Sequence, residues 1–119
     1  MTTSKINYLK RVFKNFEMEH ILVVDLENYL YKDLTISEEN SKNLSTFNTQ
    51  DLETWVDTHK VKKPIIIHNH VSNNSNFSEE DIIAYKILQE HFDFNFDFYL
   101  INLNTQTLKE IGGNTWELV

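Results

Sequence analysis

The sequence predicts an α/β domain: a mixed β-sheet with helices packed on it. Three observations carry that expectation. Apolar residues recur at helical spacing in three separate stretches, short β-branched or aromatic runs lie between them, and no repeat, linker or low-complexity tract divides the chain. Residues 1–119 therefore read as one domain. From Ser4 to about Phe16, the residues Ile6, Leu9, Val12, Phe13 and Phe16 recur at spacings of three and four, with Lys5, Lys10, Arg11 and Lys14 mostly elsewhere on the wheel. This predicts an amphipathic first helix. His20 to Leu26 is a β-branched run ending at Glu27-Asn28, and the next run, YLYKDLTIS, alternates apolar and polar residues. Two antiparallel strands with a tight connection follow from that pattern.

Residues 37–49 are polar and rich in Ser and Asn, which marks a loop or an edge. Gln50 to about Lys60 then carries Leu52, Trp55 and Val56 on one helical face, and Pro64 bars that helix from continuing. Three consecutive isoleucines in PIIIHNH indicate a strand buried on both faces, with chemistry exposed at its polar end. After the loop VSNNSNF, Ser78 precedes three acidic residues and an expected apolar stripe of Ile82, Ile83, Tyr85, Ile87, Leu88 and Phe92, which predicts a third helix. The tail FNFDFYLINL places Phe94, Phe96 and Phe98 on one parity, as a core-facing strand would. TQTLKEI and TWELV continue as strands around Gly112-Gly113.

Composition narrows the function. With 40% hydrophobic and 24% charged residues, the chain has enough apolar mass for one core. The absence of cysteine excludes a disulfide scaffold, a cysteine-based zinc finger and a thiol nucleophile, so any metal must use His and carboxylates, and a reducing cytoplasm fits best. No apolar run approaches the ~18 residues of a membrane span, and the N-terminus lacks the pattern of a signal peptide. A formal charge of −7 disfavours a dedicated nucleic-acid binder, which draws its affinity from cationic contacts to phosphates. Phosphate-cradling glycine loops and nucleophile-elbow motifs are missing as well.

The informative segment is His68-Asn69-His70, followed after seven residues by Ser78 and, three positions on, by Asp81. Alternate strand residues point to the same side, so both imidazoles can reach one cation. Asp81 falls in the first turn of the next helix, where a short loop can fold its carboxylate back over the strand end. Two His and a carboxylate with a fourth position for water is the ligand set of a catalytic zinc site. Taken alone, Ser78-x-x-Asp81 is also a capping-box variant, and the two roles are compatible. His59 and His91, near the expected C-terminal ends of helices, read as structural.

HxH followed after seven residues by SxxD resembles the JAMM/MPN (JAB) metallopeptidase signature. More narrowly, HNHVSNNSNFSEEDI is similar to the HNHPSG…PSxxDI segment of the RadC-like branch. EMEHILVVDLEN resembles that branch's opening strand and FNTQDLETWV its following helix, so the likeness spans roughly residues 17 to 111. Val71 stands in place of the usual proline, Asn73-Asn74 in place of a glycine-containing turn, and Gln50 where arginine is common. The resemblance implies a three-layer, cytidine-deaminase-like fold and zinc-assisted hydrolysis of an amide or isopeptide bond. It implies one Zn2+ held by His68, His70 and Asp81, and a protein or peptide substrate such as a ubiquitin-like tail. It further implies that Ser78 donates to the oxyanion and that an upstream glutamate acts as general base. A gap-free alignment on Asp25 puts Glu17 in that place. Glu19 is the competitor, and its choice would shift Asp25 among apolar strand positions. So short a chain is expected to need a homodimer or partner protein to build a substrate groove. A catalytically silent scaffold and, less favoured, a metal-dependent phosphoesterase or nuclease stand as the alternatives.

Overall fold

The computed structural model describes residues 1–36 and 48–118, so most of the expected polar loop at 37–49 lies outside the described residues. Helix α1 (Thr3–Phe13) starts where the Thr2 side chain accepts the Lys5 N–H. It ends one turn earlier than the apolar periodicity suggests, leaving Phe16 beyond it. Strand β1 (Ile21–Asp25) is buried throughout. The Asp25 side chain accepts the backbone N–H groups of Glu27 and Asn28 and the Asn28 side-chain amide, and so turns the chain into β2 (Leu30–Asp33). Tyr29 takes the left-handed conformation in that turn.

Helix α2 (Thr49–His59) is capped by Asn48 and buries Leu52, Trp55 and Val56, the face read from the sequence. Its stop differs from the expectation. Lys60 adopts the left-handed conformation and its N–H returns to Asp57 and Val56, so the helix closes before Pro64 can act. Strand β3 (Ile65–Asn69) is buried at every residue, as its isoleucines require. The remaining elements are α3 (Glu79–His91), β4 (Asp97–Asn102), β5 (Thr107–Glu110) and β6 (Thr115–Glu117). Gly112, with φ of 66°, supplies the positive φ in the turn between the last two.

The strands form one mixed sheet in the order β2-β1-β3-β4-β5-β6. Neighbours are antiparallel except β3 and β4, which are parallel and joined through α3. Side-chain alternation then divides the core in two. Ile21, Val23, Ile66 and Phe98 pack on Leu52, Trp55 and Val56 of α2 and on Ala84 and Leu88 of α3. On the opposite face Leu22, Val24, Ile65, Ile67 and Ile101 pack on Leu9 and Phe13 of α1. Helix, sheet and helix pair make three layers.

Two apolar stripes depart from expectation. Ile82, Ile83 and Ile87 are exposed on α3, because the helix turns Asp81, Ala84 and Leu88 toward the sheet instead. Phe94 and Phe96 precede β4, although both still pack against the α2–α3 core from the connecting segment. The apolar burial predicts a clear contrast. Phe98→Ala, at a fully buried ring, should cost about 3–5 kcal/mol in urea unfolding. Ile83→Ala, at a side chain 57% exposed, should stay within about 0.5 kcal/mol of the parent.

Candidate metal centre

Strand and helix periods bring the three predicted ligands together. His68 lies opposite Ile21 in the β1–β3 register and so shares the α3 side of the sheet. His70, two residues on, projects the same way just past the strand end. Asp81 sits three and seven residues before Ala84 and Leu88, on the face of α3 that meets the sheet. His68, His70 and Asp81 consequently form a group able to hold a metal ion, with one ligand atom from each lying within 4.8 Å of the others.

A single carboxylate faces both imidazoles. His68 Nε2 is 3.1 Å from Asp81 Oδ1, and His70 Nε2 is 3.2 Å from Asp81 Oδ2. Donor atoms about 2.0–2.1 Å from a tetrahedral Zn2+ would be separated by roughly 3.3 Å, and each imidazole nitrogen stands at about that distance from the Asp81 oxygen it faces. Protonation demands also favour a cation. His70 Nδ1 lies 3.0 Å from the Asn74 carbonyl, which can only accept, so that nitrogen carries the proton. In the neutral ring Nε2 then turns a lone pair toward a carboxylate, an arrangement that needs a second proton or a metal between them. His68 is 1% exposed and neither of its ring nitrogens has a hydrogen-bond partner. Its Nε2 is near Asp81 without hydrogen-bond alignment, and Phe77 and Phe98 enclose the ring. An unsatisfied buried imidazole costs stability unless something occupies its nitrogen. The residues therefore fit a divalent cation.

The titration behaviour reflects the same geometry. Burial opposes the charge on Asp81, but the two facing imidazoles and the Ser78 N–H outweigh it and hold the carboxyl well below the usual range. Burial likewise lowers the His70 pKa, yet the hydrogen bonds to Asp81 and Asn74 and the charges of Asp81 and Glu19 carry it above the ordinary 6.5.

Ser78 is the cap of α3. Its Oγ accepts the Asp81 N–H at 3.1 Å, while Asp81 Oδ2 accepts the Ser78 N–H at 2.7 Å, closing the expected capping box. The hydroxyl proton stays available to another acceptor. Of the two candidate bases, Glu17 lies exposed at a bend, in a cleft it shares with His70. Glu19 is half-buried at the entry to β1, and its charge acts on His70. Asp25 ends β1 as the gap-free alignment supposes, and the turn hydrogen bonds satisfy its carboxylate.

Two asparagines escaped the sequence reading. Asn69, between the histidines, points to the other side of the sheet, where its Oδ1 accepts the His20 N–H at 2.6 Å and its Nδ2 donates to the Met18 carbonyl. It thus grips the backbone on both sides of Glu19. Asn102, fully buried at the end of β4, donates to the carbonyls of Ser72 and Asn74. The Asn74 carbonyl is the one that orients His70, so Asn102 holds the loop where proline and glycine were missing. The unusual asparagine content was the available signal, but nothing local links Asn102 to a histidine 32 positions earlier.

Compared with protein-family models, curated proteins and solved structures, the chain gives no match. What the fold and site define is an α/β protein with a buried two-histidine, one-carboxylate centre at the end of a central strand. Among the described residues no helix is long and apolar enough to cross a membrane.

Two outcomes follow for this centre. Asn102→Ala should weaken Zn2+ binding ~10–100-fold in a chelator competition, as loss of a partner that orients a ligand does, while Asn73→Ala at the exposed loop should not. His70 holds its proton more tightly folded than unfolded. In chelator, that protonation stabilises the fold fully below about 6.5, and the stabilisation disappears as pH rises through the higher folded value. The unfolding free energy should fall across that window, and His70→Gln should flatten the fall.

Proposed function

We propose that the chain is a zinc-dependent hydrolase of amide or isopeptide bonds, of the JAMM type and nearest its RadC-like branch, acting on a protein or peptide in a reducing compartment. The observation that carries this reading is the convergence of two strand-end imidazoles on one capping carboxylate, with the buried His68 nitrogens left without hydrogen bonds. A cation held by His68, His70 and Asp81 would supply Lewis acidity, polarising a carbonyl and lowering the pKa of water towards ~7.

The remaining roles belong to the chain. Asn74, through Nδ1 of His70, keeps Nε2 directed into the centre. Ser78 offers its hydroxyl proton to a developing oxyanion while its oxygen caps α3. A glutamate takes the proton of the attacking water and returns it to the leaving amine. Support for that base moves from Glu17 to Glu19. Asn69 grips the backbone flanking Glu19, and the Glu19 charge reaches His70, whereas Glu17 stands exposed at the bend before it.

Elemental mass spectrometry on protein purified without a polyhistidine tag should find about one zinc per chain, lost in His68→Ala with His70→Ala. No metal, even at stoichiometric excess of zinc, would sink the reading. On a cleaved conjugate, Glu19→Gln should lower kcat by ~10²–10⁴ while Glu17→Gln changes it only a few-fold. The reverse ranking would return the role to Glu17.

A further inference from the structure

Beside the metal centre a cleft of about 330 Å³ opens, with His70, Glu17, Phe16, Leu103 and Lys14 in its lining. A second hollow of about 480 Å³ continues from it along α1, sharing Lys14 and Leu103 and adding Lys10, Arg11 and Gln106. The two shared lining residues join them into one path lined by α1 residues and by His70. Its charge opposes that of the whole protein. The chain carries −7, yet this path is bordered by Lys10, Arg11 and Lys14, with Glu17 as its acidic residue. Arg11 and Lys14 are exposed, while Lys10 is held by its hydrogen bond to the Leu118 carbonyl at 2.8 Å.

Lys10, Arg11 and the C-cap residue Lys14 also complement the C-terminal dipole of α1, but the apolar residues Phe16 and Leu103 that share their lining are unrelated to helix capping. Phe16 is fixed there by an edge contact with Phe13 and by stacking on His20. We propose that this path is a docking groove for an extended acidic peptide segment, seating apolar side chains on Phe16 and Leu103 and carboxylates against Arg11 and Lys14.

The spacing suits that ligand. Residues three and four apart on a helix lie about 5–6 Å from one another, and alternate side chains of an extended peptide recur every ~6.6 Å, so carboxylates at every second position meet successive cations. Over a Debye length of ~8 Å the local cations dominate the distant negative surface. A nucleic-acid strand fits less well, since its phosphates would continue past three cations onto an acidic molecule. The groove's direction toward His70 rests on the hydrolase reading, but binding in it does not.

The test is fluorescence anisotropy on metal-free protein with a labelled heptapeptide carrying carboxylates at alternate positions between leucines. Its lysine-substituted twin and a labelled single-stranded oligodeoxynucleotide serve as comparison probes. The acidic peptide should bind more tightly than either. Arg11→Glu with Lys14→Glu should weaken it on the order of tenfold, and added salt should narrow that difference. Lys62→Glu with Lys63→Glu makes the same change of net charge at exposed residues of another hollow and should leave binding unaltered. Equal affinity for both peptides, equal weakening by the two charge-reversed pairs, or preference for the oligonucleotide would overturn the proposal. His68→Ala, at a buried ligand outside the lining of both hollows, should abolish metal uptake and keep peptide binding. A wild-type protein that takes up no metal but still binds the acidic peptide separates failure of the hydrolase reading from failure of this one.

Discussion

The Asp81 carboxylate ties the start of α3 to the end of β3, and most of the site depends on that tie. Through Oδ2 it accepts the Ser78 N–H, and through both oxygens it faces the two imidazoles. A helix cap commonly satisfies backbone donors at the surface. Here the capping-box carboxylate of Asp81 is 4% exposed and points its charge inward, so the helix start is coupled to the charge state of the strand end. A buried anion is tolerable only if it is paired and hydrogen-bonded. The imidazoles and the Ser78 N–H supply that pairing, and a cation held between them would complete it.

The sheet topology explains why this pairing falls where it does. β3 is antiparallel to β1 on one side and parallel to β4 on the other, and the parallel step requires the chain to cross through α3. The crossover brings the N-terminus of α3 back over the end of β3, where side chains leave the packed core. Open α/β sheets generally place their ligand sites at such strand ends.

Asparagines do the work of the missing proline and glycine in the loop between β3 and α3. Asn102 and Asn104 donate to carbonyls of Val71, Ser72 and Asn74, and Asn102 also accepts the N–H groups of Asn104 and Thr105. A loop that backbone stereochemistry does not restrict is held instead by side-chain hydrogen bonds from the next strand. The arrangement makes the orientation of His70 depend on β4, an element remote in sequence.

Local rules made the helices, the buried β3 strand and the His68, His70, Asp81 group legible in the sequence. Period two puts both imidazoles on one side, and the Ser78–Asp81 capping box and the face shared with Ala84 and Leu88 put the carboxylate on the other side of the same gap. Each rule reaches only a few residues, and the centre is built almost wholly from such short steps. Tertiary structure decided the rest. Periodicity does not separate Glu17 from Glu19, whereas the structure leaves Glu17 exposed at the bend before β1 and Glu19 half-buried between the backbone groups that Asn69 holds. Ile82, Ile83 and Ile87 look like core by composition, but the sheet selects the face of α3 bearing Asp81, Ala84 and Leu88. Asn102 acquires its role from the β3–β4 register. Periodicity states which residues share a face, whereas which face meets the sheet, and what lies across from it, is set by contacts between segments far apart in the chain.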